Sequence, residues 1–314
     1  MNKQSLIIDC DPGVDDAVAL MLAFGSPALD LLAITTVGGN APLAKTTRNA
    51  RMLRQIAGRQ DVPVHAGADR PLRRKPAGAG EFHGEEGLGF MTPFAPTRPV
   101  ADGHGVDAII SAVNARPPGT VALALLGPLT NLALALRREP LLARRLGAVA
   151  VMGGARSEGG NITPSAEFNI WADPEAADEV LRSECRVTMF SLDVTHQVRA
   201  TEARIAAIGA VGTPKGDVAA AMMTFSQTVE REIVGWPSLS GWGPPVHDPC
   251  PVAWVLKPEL FTLKPCKIAV ETQSELTRGH TSVEFRVDAA TAPHLWAATV
   301  DADGVFDLIV KAAG

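Results

Sequence analysis

Leu6-Ile-Ile-Asp-Cys-Asp-Pro-Gly-Val-Asp-Asp-Ala-Val-Ala-Leu20 is the stretch from which the fold is read. Its short apolar run, residues 6–8, reads as a buried strand. Pro12-Gly13 is a turn signal that ends the strand and opens an Ala/Val/Leu/Met helix from about Asp15. Asp9, Asp11, Asp15 and Asp16 therefore crowd one strand tip and one helix start. Asp15 and Asp16 alone have an ordinary account, because carboxylates in a first helical turn meet free N–H groups and the positive end of the macrodipole. Asp11 is harder to dismiss. Carboxylates held together repel one another and raise each other's pKa unless a cation neutralises them, and an all-oxygen set suits Ca²⁺ or Mg²⁺.

Working outward, apolar runs at 6–11, 29–37, 62–65, 121–126, 148–152 and 187–192 alternate with helical stretches such as 41–57 and 129–136. Strand, helix, strand predicts an α/β fold with a mostly parallel central sheet flanked by helices. Ligands of such sheets sit at the carboxyl edges of the strands. There the chain places Val37-Gly-Gly-Asn40, Gly127-Pro-Leu-Thr-Asn131, and Met152-Gly-Gly154 followed by a polar segment at 155–169. The last third differs: helical stretches at 218–234 and 252–256 precede short strand-like runs at 267–271 and 283–287, an expected small antiparallel extension. Residues 70–97, rich in Gly, Pro and charge, read as a long, mobile loop.

Composition narrows the class. With 314 residues, 46% of them hydrophobic, the chain has material for one large domain spanning 1–314. A net charge of −5 offers no footprint for nucleic acid, and the basic run at 70–75 reads as a solvated loop. Cys10, Cys185, Cys250 and Cys266 lie far apart without a CxxC pair, which argues against a zinc ribbon or disulfide scaffold and for a reducing compartment. No apolar segment reaches ~18 residues, so neither signal peptide nor membrane span is expected and the chain reads as cytoplasmic.

Other residues able to carry chemistry cluster at the same strand tips. Asn40 follows two glycines that let the backbone come close to a ligand, or that make Gly-Gly-Asn a plain turn. The Gly127-Pro128 turn exposes the carbonyl of Leu126, an unpaired acceptor open to a metal, while Thr130-Asn131 reads as capping the next helix. Asn161, Glu167, Phe168 and Asn169 suit a hydroxyl-rich ligand, or equally a hydrogen-bonded surface loop. His247-Asp248-Pro249 precedes a helix; Asp248 reads as a helix-start acid or a further metal ligand, His247 as a surface residue or a proton donor. His65, His104, His196, His280 and His294 read as structural. His83-Gly-Glu-Glu-Gly-Leu-Gly89 carries a lid signal, and Trp236 and Trp242 could stack on a planar base or cover core surface.

Taken together, Asp9 through Asp16, Val37-Gly-Gly-Asn40, Gly127 through Asn131, Met152-Gly-Gly154, Asn161 through Glu167-Phe-Asn169, and His247-Asp-Pro-Cys250 resemble the inosine-uridine preferring nucleoside hydrolase family, in its order and spacing. The resemblance runs from Leu6 to at least Cys250 and implies one nucleoside hydrolase domain, usually assembled as a homodimer or homotetramer. It implies that Asp11, Asp16, Asp248 and the Leu126 carbonyl hold Ca²⁺. It further implies that Asp15, Asn40, Asn161, Glu167, Asn169 and Asp248 grip ribose hydroxyls with Met152 against the sugar face. Asp11 is then the general base for a water attacking the anomeric carbon, and His247 the acid that assists the departing purine or pyrimidine. The chain departs from the family in having no tyrosine: Phe225-Ser-Gln-Thr-Val-Glu-Arg231 stands where members often place one beside the base, so Gln227 or Arg231 become candidates and base preference stays open.

Two rivals fit less. Leu6-Ile-Ile-Asp-Cys-Asp11 also suits a haloacid dehalogenase-type phosphohydrolase, with Asp9 as nucleophile and Mg²⁺ bound, but that reading gives Asp15, Asp16 and His247-Asp248 no task. A non-catalytic ribose- or nucleoside-binding protein would keep Asn161 and Glu167 yet need neither base nor acid.

Overall fold

The structure is a computed structural model and describes residues 3–234 and 242–314; Trp236 lies outside the described residues. Its strands are β1 (Gln4–Cys10), β2 (Leu29–Thr36), β3 (Val64–Ala66), β4 (Val121–Leu125), β5 (Leu146–Met152), β6 (Val187–Phe190), β7 (Phe261–Val270), β8 (Thr281–Glu284) and β9 (His294–Val300). They form one sheet in the order β3-β2-β1-β4-β5-β6-β9-β7-β8. Every pairing from β3 to β9 is parallel, whereas β7 pairs antiparallel with both β9 and β8. The expected architecture, antiparallel extension included, is the one observed. β9 and the Ala302–Ala313 helix add to the expected set.

β1 is central, flanked by β2 on one side and β4 on the other. Both of its faces are covered, which is why Leu6, Ile7 and Ile8 are continuously apolar rather than alternating. Leu6, Ile8 and Cys10 point into the core beneath the helix Val14–Gly25, while Ile7 points the other way, toward Leu123, Leu125, Val149 and Val151. All are buried, and each large aliphatic among them stabilises the fold by about 1.5–3 kcal/mol. The Val14–Gly25 helix is itself buried nearly all round, against the helices Pro214–Val229 and Ala302–Ala313. The order of strand addition reverses between the parallel strands β1 and β4: one strand's connection runs toward β2, the other's toward β5. Such a switch point opens a crevice at the carboxyl ends, here between Asp11 and the Leu126-Gly127 turn.

The 70–97 segment is anchored rather than loose. Leu72 N–H donates to Asp173 Oδ2 at 2.9 Å, Arg74 pairs with Glu175 at 2.9 Å, and Glu86 takes Lys45 at 3.0 Å and Arg48 at 2.6 Å. Asn49 Nδ2 ties the Glu86 carbonyl to that of Pro12. Positive φ at Gly84, Gly87 and Gly89 gives the turns that bring His83 back over the β1 tip. Among the described residues no helix is long and apolar enough to cross a membrane.

Candidate active site

Asp11 leaves the tip of β1 fully buried. Its Oδ2 accepts the Asn40 backbone N–H at 2.6 Å, and its Oδ1 has no hydrogen-bond partner among the described residues. The two turns named in the sequence wrap it. A Cβ on Gly39 would stand 2.0 Å from Asp11 Oδ2, and one on Gly127 would stand 2.5 Å from Oδ1, so only glycine lets these backbones close on the carboxylate. Asp16 starts the helix, accepting from Asp11 N–H at 3.2 Å and Gly13 N–H at 2.9 Å. Asn40 Nδ2 bridges the Asp11 carbonyl and Asp16 Oδ2, so its amide is already engaged with the acids.

Asp248 arrives from the far end of the chain, at the start of the helix Pro249–Leu256, and is buried. Carboxylate oxygens of Asp15, Asp16 and Asp248 lie within 4.8 Å of one another. The tightest trio thus contains Asp15, read from the sequence as a sugar contact, and leaves Asp11 alongside. Burial, then mutual repulsion, pushes the carboxyls of Asp11 and Asp248 well above the ordinary range and that of Asp16 to about 7. Such a group is costly without a cation. A hard divalent ion fits the observations: the donors are oxygens, Asp11 Oδ1 is orphaned, and positive charge would reverse the repulsion.

Asp9 stands behind this cluster. Its Oδ1 accepts from Thr35 Oγ1 at 2.5 Å and Asn131 Nδ2 at 2.7 Å, and burial raises its carboxyl to about 7. Asn131 and Thr130 do not cap their helix as expected. Thr130 Oγ1 donates to Asp173, and Asn131 spans Asp9, the Thr36 carbonyl and the Ala68 N–H, lacing the strand tips together.

The polar segment is exposed or half-exposed over 156–165, Asn161 included, and becomes buried at 166–169, where hydrogen bonds order it. Glu167 caps the helix Phe168–Ala172: its oxygens accept from Gly154, Asn169 and Ile170 N–H groups at 3.0, 2.9 and 3.2 Å, while burial lifts its carboxyl to about 7. Asn161 Oδ1 accepts from Phe168 N–H at 2.9 Å, and the Phe168 ring leans on Trp171. Asn169 Nδ2 reaches the Leu126 carbonyl at 2.7 Å and the Met152 carbonyl at 3.3 Å. The Leu126 oxygen is consequently not the unpaired acceptor expected; Asn169 uses one of its lone pairs and leaves the other. These contacts hold Met152 and Asn169 beside Leu126, with Glu167 tied to Gly154 nearby, whereas Asn161 stays exposed and its side chain meets the Phe168 N–H.

His247 is half-buried, its Nδ1 2.7 Å from Thr195 Oγ1 and its ring 5.7 Å from that of His196. Burial drops its pKa to about 4, opposed by Asp15. Three neighbours join it, of which only His83 carried a signal in sequence. His83 Nδ1 accepts the Val14 N–H at 3.1 Å, so its ring covers the helix start, and burial lowers its pKa; the glycine-flanked motif was the available clue. Thr195 and His196 reach His247 only through the fold, His196 pairing with Glu158 at 3.0 Å. The candidates on the preceding helix turn away: Gln227 donates to the Ala200 carbonyl and Arg231 meets Glu202, while Ser226 and Met222 face Asp15 across a small cleft.

The family model for inosine-uridine preferring nucleoside hydrolase matches residues 6–307. The inosine-uridine preferring nucleoside hydrolase of Crithidia fasciculata is 42% identical over 90% of this chain and 88% of its own. The pyrimidine-specific ribonucleoside hydrolase RihA of Photobacterium profundum is 41% identical over 90% and 89%. Among solved structures, a purine-preferring ribonucleoside hydrolase from Gardnerella vaginalis superposes with a TM-score of 0.91 at 30% identity, covering 99% of this chain and 98% of that one. A plant nucleoside hydrolase does so at 0.90 and 33%, with the same coverage. A family match over nearly the whole length, on a sheet whose switch point gathers the acids, makes this chain an enzyme of the inosine-uridine preferring nucleoside hydrolase family.

Proposed function

We propose that the chain hydrolyses the N-glycosidic bond of ribonucleosides to ribose and free base, with Ca²⁺ held by Asp11, Asp16, Asp248 and the Leu126 carbonyl. The observation that carries this reading is the meeting of Asp15, Asp16 and Asp248 beside the unpartnered Oδ1 of Asp11. Those residues would hold the ion, which would supply a lowered pKa and a fixed orientation to a water. Asp11, with one oxygen fixed by Asn40, uses the other to draw off a proton as water attacks the anomeric carbon. Asp15, Asn40, Asn161, Glu167, Asn169 and Asp248 grip the ribose hydroxyls, with Met152 and Phe168 lining the crevice. Their carboxylates and the nearby carbonyls stabilise positive charge spreading over the ring. Direct attack by water inverts the anomeric carbon and needs no covalent sugar intermediate. His247, held neutral by burial, supplies an N–H to the nitrogen of the departing base.

The test is sugar release from a panel of ribonucleosides, with nucleotides alongside. Reducing sugar and free base from nucleosides, suppressed by chelator, is the expected result. Release of phosphate from nucleotides without release of base would move the chain to the phosphohydrolase reading, and tight binding without turnover to the binding-protein reading.

A further inference from the structure

Thr195 ends the short helix Leu192–Thr195 that follows the tip of β6, and it is fully buried. Its hydroxyl has one partner among the described residues, His247 Nδ1 at 2.7 Å. A buried hydroxyl proton without an acceptor is costly, so this proton goes to the ring nitrogen. Nδ1 can accept only in the tautomer that carries its hydrogen on Nε2. The two segments are held in register independently of that bond: Val246 N–H donates to the Val198 carbonyl at 2.9 Å, and Ala200 N–H to the Pro244 carbonyl at 2.8 Å. On another side the His196 ring stands 5.7 Å away, inclined by 52° and tied to Glu158, which restricts rotation of the His247 ring.

We propose that Thr195 is a positioning residue for the leaving-group step: its hydroxyl donates to His247 Nδ1, fixing the ring plane and the tautomer, so that the Nε2–H is presented to the departing base. The proposal rests on the reading of His247 as the group that serves the base. No proton leaves Thr195. The N–H···N contact to the base strengthens as electrons from the broken glycosidic bond gather on the base nitrogen, and solvent then supplies the proton that completes the free base.

Thr195→Val keeps the shape and removes the donor; Thr195→Ser keeps the donor. On uridine and inosine, Thr195→Val lowers kcat by about tenfold or more with KM nearly unchanged, and Thr195→Ser recovers most of it. On a riboside whose leaving group is nitrophenolate, which departs as a stable anion, the loss is far smaller. Ring ¹⁵N NMR of the intact enzyme gives a readout apart from turnover: His247 shows a bare Nδ1 and a protonated Nε2 in the parent and Thr195→Ser, and mixed tautomers in Thr195→Val. Equal losses on both substrate types, or a tautomer unchanged by Thr195→Val, would overturn the proposal. His247→Ala separates the two layers: if it too fails to discriminate between leaving groups, the reading of His247 falls, and the NMR result alone decides what Thr195 does.

Discussion

Asp11 has one oxygen bonded by the Asn40 N–H and, among the described residues, one without a partner, and two glycines press on it from either side. Gly39→Ala would put a methyl 2.0 Å from Oδ2, so the carboxylate must move. Because a displacement of ~1 Å in a reacting group can cost 10²-fold, kcat is expected to fall on the order of 10–100-fold, while a thermal melt stays cooperative. Unchanged kcat in Gly39→Ala would show that Asp11 does not need its present place. At this scale the sequence was informative where local spacing carries the chemistry. Asp11, Asp15 and Asp16 share one turn, and Asn40 and Leu126 lie at strand tips that any parallel sheet would align. It was silent where only the fold makes the neighbour. Thr195 meets His247 across 52 positions, and the lone pair of Leu126 taken by Asn169 is 43 positions away.

Among the elements, the strands were legible because parallel strands covered on both faces are unbroken apolar runs, as in residues 6–8 and 121–125. β9 was not, since His294-Leu-Trp-Ala-Ala-Thr-Val300 is edged by turns and its partners β6 and β7 are distant in sequence. The 70–97 segment misleads by composition. Its Gly and Pro content suggests mobility, but Glu86 receives Lys45 and Arg48 from the Leu43–Ile56 helix and so holds His83 against Val14. Glu86→Ala frees that segment without touching the acids. The expected outcome is a KM for nucleosides raised by about three- to tenfold, faster proteolytic nicking within 70–97, and a melting temperature almost unchanged, because the ion pairs are partly exposed. An unaltered KM together with unaltered nicking would mean that the segment is held by other contacts.

The whole molecule pairs a large, doubly covered sheet with a site that opposes folding in the absence of a cation. Asp16 and Glu167 have folded-state pKa values raised to about 7 by burial, against ~4 in an unfolded chain. A group shifted upward stabilises the fold fully below its unfolded pKa and loses that contribution as pH climbs through the folded value. Ion-free protein is therefore expected to melt at a falling temperature between pH 4 and pH 7 from these groups. A bound Ca²⁺ would displace the Asp16 proton, so at pH 7 and roughly 100-fold above its dissociation constant it should raise the melting temperature by about 4 °C, and by less at pH 5. Scanning calorimetry at the two pH values checks both signs; stabilisation by Ca²⁺ that is equal at pH 5 and pH 7 would detach the Asp16 carboxyl from the ion.

The account stands on calcium being captured beside Asp11 and being needed for cleavage. Enzyme stripped of metal and titrated back with Ca²⁺ while ribose release from uridine and inosine is followed tests that most directly. Activity should be absent in the stripped enzyme, return in proportion to one ion per chain, and fail to return in Asp11→Ala at any Ca²⁺ concentration. Full ribose release by stripped enzyme, or by Asp11→Ala, would contradict it.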